Sequence, residues 1–247
     1  MLTDSERDRY ARQILIDEIG EESQEKLKSA TVCIAGAGGL GSAIAVYLTA
    51  AGIGEIRIAD HDQVELSNLN RQILHWNDDI GRNKVDSAVE KLKKLNPDIT
   101  LRGIGETITE HTVSRLAGGC DCIVDAMDNF PTRYMLNAFA VKNRIPFFQG
   151  AVSGFEGRVM TVVPGKTPCL ECMNKGPVLR EKFPVIGVAP AVIGSIQATE
   201  VIKYITGIGE LLLNRLLVYD GLSMTWKELK INRNPYCKQC RTVTAEE

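Results

Sequence analysis

The sequence predicts an α/β fold, a Rossmann-like doubly wound sheet that is mostly parallel and continues into an antiparallel C-terminal part. Three observations predict it. Short apolar runs rich in β-branched residues alternate with helical stretches up to about residue 150. A glycine-rich turn, Gly36-Ala37-Gly38-Gly39-Leu40-Gly41, stands between the first such run and a helix of small and aliphatic residues. Beyond residue 150 three runs read as antiparallel strands, with one long helix among them.

Residues 1–29 read as short charged helices with Leu2, Tyr10, Ile14 and Leu15 as apolar contacts. Thr31–Ala35 (TVCIA) suits a buried parallel strand, because such strands are covered on both faces and lose polar alternation. A helix over 40–51 and a strand over Glu55–Ala59 complete a βαβ unit that ends in Asp60. Residues 61–80 are polar and without period, hence a long loop, which inside a compact domain is usually functional. An amphipathic helix over 83–95 stops at Asn96-Pro97. Strands follow over Thr100–Ile104, 122–126 and 145–149, with a helix over Phe130–Asn143. In the second half, 157–163, 216–219 and 223–231 read as strands and 191–206 as a helix. Two prolines and scattered charges make 174–187 a candidate mobile loop. The organisation expected is a single domain over 1–247, with a nucleotide-binding half (1–150) and an antiparallel half (151–247).

Composition limits the function classes. The 247 residues are 44% hydrophobic and 24% charged, which excludes disordered and collagen-like chains. Lys+Arg number 29 against 31 Asp+Glu, so the dense basic patch that phosphate backbones require is not expected. A charged N-terminus without an apolar run gives no export signal, and no segment spans a bilayer, so a cytoplasmic, membrane-free protein is expected.

The turn fits G-x-G-x-x-G in its proper context. Glycines permit a tight bend, close approach of backbone to a phosphate, and close helix–strand packing, while the helix start offers free N–H groups. Asp60, 24 residues after Gly36, ends the second strand where a carboxylate can accept ribose hydroxyls. This motif alone does not separate NAD, FAD and ATP. The loop after it favours ATP: Arg71 and Lys84 can neutralise a triphosphate during attack at phosphorus, and an acidic residue of Asp125-Ala126-Met127-Asp128-Asn129, after a later strand, can hold Mg²⁺. Each residue alone has a plainer reading: Arg71 as a solvated side chain, Lys84 as helix surface, Asp128 as the N-cap of the helix starting at Phe130. His61, His75 and His111 show no ligand spacing; His61 and His75 read as surface or supporting residues.

Seven cysteines, an odd number, argue against a disulfide framework. Cys169-x-x-Cys172 and Cys237-x-x-Cys240, with 64 residues between them, suit a closed tetrahedral zinc site, with a redox pair or free thiols as alternatives. Cys33, Cys120 and Cys122 read as structural.

Taken together, Arg9-Tyr10-Ala11-Arg12-Gln13, the Gly36–Gly41 turn, Asp60-x-Asp62-x-Val64, Ser67-Asn68-Leu69-x-Arg71-Gln72, Gly81-x-x-Lys84, Asn96-Pro97 and Asp128-Asn129 resemble the ThiF/MoeB/HesA family, bacterial relatives of ubiquitin-activating enzymes. The resemblance runs from about residue 5 to 240 and is strongest to the molybdopterin-synthase adenylyltransferase type. It implies ATP-dependent adenylation of the C-terminal glycine of a ubiquitin-like sulfur carrier ending in Gly-Gly. It implies that Gly38, Gly39 and Asp60 hold adenosine, that Asn68, Arg71 and Lys84 contact phosphates, that Asp128 binds Mg²⁺, and that Arg12 acts across a homodimer. Gly36, Gly41, Asp62, Gln72 and Asn129 complete the implied nucleotide set. Many members carry the zinc knuckles. Ubiquitin-activating enzymes and some relatives have a cysteine after the first knuckle; residues 173–236 here contain none, so the expectation is adenylation only, with sulfur supplied by a separate donor protein and no attached sulfurtransferase domain. The resemblance leaves the molybdopterin, thiamine, cysteine and other pathways open. The rivals are an NAD- or FAD-dependent Rossmann oxidoreductase, an enzyme adenylating a peptide, small carboxylate or modified nucleoside, and a non-catalytic scaffold.

Overall fold

The computed structural model describes residues 1–173 and 184–244. Three short helices open the chain, α1 (Asp4–Arg9), α2 (Ala11–Ile14) and α3 (Gly20–Ser29). Thr3 and Glu6 cap α1 reciprocally, each side chain accepting the other's backbone N–H. Then come β1 (Thr31–Ala35), α4 (Gly39–Ala51), β2 (Glu55–Ala59), α5 (Lys84–Leu95), β3 (Thr100–Ile104), α6 (Val113–Ala117), β4 (Cys122–Asp125) and α7 (Phe130–Asn143). The rest is β5 (Phe147–Ser153), β6 (Glu156–Val162), α8 (Val188–Thr206), β7 (Arg215–Asp220) and β8 (Thr225–Lys230).

The eight strands of the described residues join one sheet of order β3-β2-β1-β4-β5-β6-β7-β8. β3 to β5 run parallel. From β5 onward each neighbour is antiparallel. β5 is therefore the strand where the two halves meet. Helices cover both faces. Leu40, Ile44 and Leu48 of α4, Val85 and Leu92 of α5, and Ile193 and Val201 of α8 pack on the face carrying Val32, Ile34 and Phe148. Leu116 of α6, Leu136 and Ala140 of α7, and the cysteine knuckles pack on the face carrying Cys33, Ala35 and Phe147. Alternate residues of one strand thus feed two cores, which is why β1 is apolar after Thr31 and β4 is apolar up to Asp125.

The expected elements stand with small shifts. β1, β2, β3 and α7 keep the expected bounds, whereas β4 stops at Asp125 so that Ala126 begins a turn, and β5 runs on to Ser153. α8 begins earlier than expected, at Val188, and the five-residue α6 was not expected. The 61–80 segment is a loop held by two 3-10 turns, Leu66–Asn68 and Asn77–Asp79. Of the expected mobile loop, 174–183 lies outside the described residues; Pro184 and Ile186 bond to Gly154 at the β5–β6 turn. Among the described residues no helix is long and apolar enough to cross a membrane.

Two packing devices fix the frame of the first half. Gly52 ends α4 at φ 85°, and a Cβ there would lie 2.5 Å from the Tyr10 ring. The Tyr10 hydroxyl accepts from Asn96 Nδ2 at 2.9 Å, and that amide also donates to Thr49 O at 2.9 Å. The Asn96-Pro97 stop of α5 is thereby tied to the end of α4 and to the N-terminal helices.

Candidate active site

In an open α/β sheet the crevice lies at the carboxyl ends of the strands where the order reverses, here between β1 and β4. The two turns leaving those strands touch. Gly36 has φ 108°, and a Cβ on it would lie 2.7 Å from Ala126 O. Gly41 is closer still to its neighbour: its Cβ would meet Gly36 O at 2.0 Å. Gly38 differs, since its nearest neighbour is the Gln72 side chain at 3.6 Å. Gly36 and Gly41 are thus required by packing, and Gly38 leaves an open cradle. α4 has no side-chain N-cap, so its first-turn N–H groups face that cradle unclaimed by one.

Asp60 is tied to the turn. Its Oδ2 accepts the Ala37 N–H at 2.8 Å and its Oδ1 the Asp62 N–H at 2.9 Å. The sequence reading gave this carboxylate to ribose; here it also shapes the loop, and each oxygen keeps a further lone pair. Lys84, read in isolation as helix surface, is buried, and its Nζ pairs with Asp62 Oδ2 at 2.8 Å. Arg71 donates to Ser67 O at 3.0 Å and Asn70 Oδ1 at 2.9 Å, with its stem beside Gly39. Asn68 is buried and accepts the Glu65 N–H at 3.1 Å, bracing the 3-10 turn that carries Arg71. Gln72 is buried with its amide nitrogen facing Gly38.

Across the crevice, the α7 N-cap is Asn129, whose Oδ1 accepts the Thr132 N–H at 3.0 Å. The alternative capping role of Asp128 is therefore corrected. Asp128 is exposed, and among the described residues its hydrogen-bond partner is Asn129 Nδ2 at 3.5 Å. A carboxylate so placed fits Mg²⁺, which takes one or two carboxylates and completes its shell with water and phosphate oxygens.

The structure does not bring Arg12 to this crevice. Gln13, its neighbour on α2, donates to Ala51 O at 3.2 Å, at the C-terminal end of α4. The glycine turn is at the opposite end of that 13-residue helix, roughly 18 Å away at about 1.5 Å per residue. Arg12 is exposed there.

Of the two readings open for His75, surface or supporting, the structure selects the second, and two further supporting residues, Asp125 and Arg133, were not singled out in the sequence. His75 is not a surface residue but is 3% exposed, with Nε2 2.9 Å from Ala37 O and Nδ1 2.9 Å from Ser87 Oγ. Burial holds its pKa below the usual histidine range. His61 is exposed beside Asp62. Asp125 is wholly buried, and its Oδ1 accepts the Met127 N–H at 3.0 Å; Arg133 Nε lies 3.5 Å from its Oδ2 and donates to Met127 O at 2.9 Å. Burial pushes the Asp125 carboxyl up to about 6. Only the D-x-x-D-N spacing after an apolar run hinted at that carboxylate.

The four knuckle cysteines do converge. Their sulfurs lie within 4.8 Å of one another, with Cys169–Cys237 at 3.7 Å and Cys172–Cys240 at 3.4 Å. A tetrahedral ion with Zn–S near 2.3 Å needs edges of about 3.8 Å, so the donor set fits zinc. The knuckle sits against α7, where Leu170 N–H donates to Asn137 Oδ1 at 2.9 Å. Cys33, Cys120 and Cys122 are buried.

A glycine turn open at a helix start, basic side chains on one wall and a free carboxylate on the other define a nucleotide-binding α/β enzyme of the adenylyltransferase class, for which ATP and Mg²⁺ are the natural reactants. The chain belongs to the ThiF family, whose profile matches residues 10–239. It is 41% identical over 239 residues to the SAMP-activating enzyme E1 of Haloferax volcanii, covering 94% of this chain and 88% of that one. It is 39% identical over 249 residues to the sulfur carrier protein adenylyltransferase of Thermus thermophilus, covering 96% and 92%. Among solved structures it resembles E. coli MccB with ATP, at TM-score 0.86 and 29% identity, over 94% of this chain and 74% of that one.

Proposed function

We propose that this enzyme adenylates the C-terminal glycine carboxylate of a ubiquitin-like sulfur carrier, releasing pyrophosphate. One observation carries the reading: the open glycine turn lies between Arg71 and Lys84 on one wall and Asp128 on the other, at the sheet's switch point. A C-terminal carboxylate is ionised at neutral pH and needs no general base. Catalysis then rests on alignment and charge neutralisation. In this reading Gly38, Gly39 and Asp60 hold adenosine, with Gly36 and Gly41 shaping the turn. Asn68, Arg71 and Lys84 engage phosphates, with Asp62 and Gln72 behind them. Asp128, with Asn129 beside it, holds Mg²⁺. Zinc on Cys169, Cys172, Cys237 and Cys240 fastens the C-terminal tail. The names of the two relatives support a carrier substrate. The antiparallel half, 151–247, is where we seat the carrier's globular body, and sulfur comes from a separate donor protein in a sulfur-transfer route such as molybdopterin or thiamine synthesis.

We further infer a homodimer. Arg12 stands at the far end of α4 from its own glycine turn, so a role on ATP requires the partner's crevice. A second substrate reading, a peptide carboxylate, is favoured by the likeness to MccB, which has been solved with MccA. Nicotinamide or flavin chemistry has no use for Arg71, Lys84 and Asp128 together. The test is ATP–pyrophosphate exchange with candidate carriers ending in Gly-Gly and with peptides. Exchange that depends on a carrier is expected; exchange with peptides alone overturns the carrier, and none with either overturns adenylation.

A further inference from the structure

We propose that His75 is a positioning residue for the ATP phosphates, acting by aiming the Gly38 N–H; this rests on the nucleotide reading above. The turn is unusually free, since Gly36, Gly38 and Gly39 flank a single side-chain-bearing residue, Ala37. That residue is held on both sides. Its N–H donates to Asp60 Oδ2 at 2.8 Å, and its carbonyl accepts from His75 Nε2 at 2.9 Å. The Ala37 carbonyl and the Gly38 N–H belong to one planar trans peptide, so they point in opposite directions. Fixing the carbonyl on His75 therefore fixes the Gly38 N–H on the opposite side, and a flip of that peptide costs the His75 bond.

The tautomer follows from the partners. A carbonyl can only accept, so Nε2 carries the proton and Nδ1 accepts from the Ser87 hydroxyl at 2.9 Å. Ser87 Oγ in turn accepts from Lys91 Nζ at 2.9 Å, and Lys91 pairs with Asp79. Ser87, Lys91 and Asp79 thus orient the ring, while the Ala37 N–H and carbonyl bond to Asp60 and His75. The chain of bonds runs from α5 and the 61–80 loop into the phosphate turn, linking the loop that carries Arg71 to the turn that carries Gly38.

Glutamine and asparagine separate this role from plain core packing. The Gln side-chain nitrogen can occupy the place of Nε2, whereas that of Asn occupies the place of Nδ1. ATP affinity is measured directly on the intact enzyme without carrier, alongside KM for ATP and kcat in exchange. His75→Gln is expected within about twofold of wild type, while His75→Asn and His75→Ala weaken ATP binding roughly threefold to tenfold, the range one net hydrogen bond supplies, with a smaller change in kcat. If the His75 variants fail to fold, Ser87→Ala decides, with a rise in Kd expected from the loosened ring. Equal ATP affinity for the Gln and Asn variants, or an unchanged Ser87→Ala, overturns the proposal. Failure of the wild-type enzyme to bind ATP overturns the nucleotide reading instead.

Discussion

Lys84 and Asp128 stand on opposite walls of the crevice, and each has one partner that ATP and Mg²⁺ would replace or join. Lys84 is held at Asp62 with its ammonium buried, so no reorganisation is needed when a phosphate arrives. Lys84→Ala and Asp128→Ala are each expected to lower exchange by roughly 100-fold or more, as for loss of one charge-stabilising group; near-normal exchange in either would remove that residue from the site. A second residue-scale expectation concerns Asp79. Burial favours its neutral form, but bonds from Lys91 and the Trp76 N–H hold the carboxyl down to about 2. The folded chain therefore binds fewer protons than the unfolded chain between pH 4 and 2, and the stabilisation present above pH 4 is lost on acidification through that window. Urea unfolding at several pH values should show the gap between wild type and Asp79→Asn shrinking by about 2 kcal/mol from pH 5 to pH 2. The charged residues proposed for the crevice could be picked out because they stand in or beside the loops that follow the strands, where the proposed ligand chemistry would need them. Asp125 and Arg133 were not singled out, and His75 stayed open between surface and supporting, because a lone buried polar residue reads like any surface one until its partners, 38 residues away for the His75–Ala37 bond, are known.

At the scale of elements, the parallel half was the most legible. A strand covered on both faces loses polar alternation, so β1 could be bounded from residue type, whereas β2 and β3, which carry Arg57 and Arg102, were placed by the alternation of strand and helix. α6 escaped because VSRLA is too short to display a helical period. The early start of α8 escaped because Pro190 looks like a stop, although proline is tolerated in a helix's first turn, where its missing N–H costs no bond. The glycine turn itself is set by backbone contact. Gly41→Ala would drive a methyl to 2.0 Å from Gly36 O, so loss of ATP binding or of soluble folded protein is expected, whereas Gly38→Ala should fold. The knuckle is a separate fastening. Elemental analysis should give one zinc per chain, lowered by Cys240→Ser. Because the four sulfurs lie by α7 on the sheet face opposite α4, chelation should lower the melting temperature more than it weakens ATP affinity.

At the scale of the whole molecule, the separation of Arg12 from its own crevice makes a mixing experiment decisive for the trans role. Arg12→Ala and Asp128→Ala chains are each expected to be inactive alone. Mixed dimers should recover activity, because one of their two crevices combines an intact Asp128 with the partner's intact Arg12. No recovery in demonstrated mixed dimers would overturn the trans role, and an Arg12→Ala chain active alone would place Arg12 outside catalysis.

β5 pairs parallel with β4 on one side and antiparallel with β6 on the other, so crevice and antiparallel strands share one uninterrupted sheet. Such a sheet is a ruler. Neighbouring strands are spaced about 4.8 Å apart, so β7 lies roughly 14 Å and β8 roughly 19 Å from β4. A carrier seated on those outer strands must cover that span with its tail, and at about 3.4 Å per extended residue that takes four to six residues. Deleting two tail residues should abolish exchange while leaving carrier binding largely intact, and inserting two flexible ones should be tolerated. In the proposed complex the spacing of the strands, and no side chain, would then set the shortest tail that reaches the crevice.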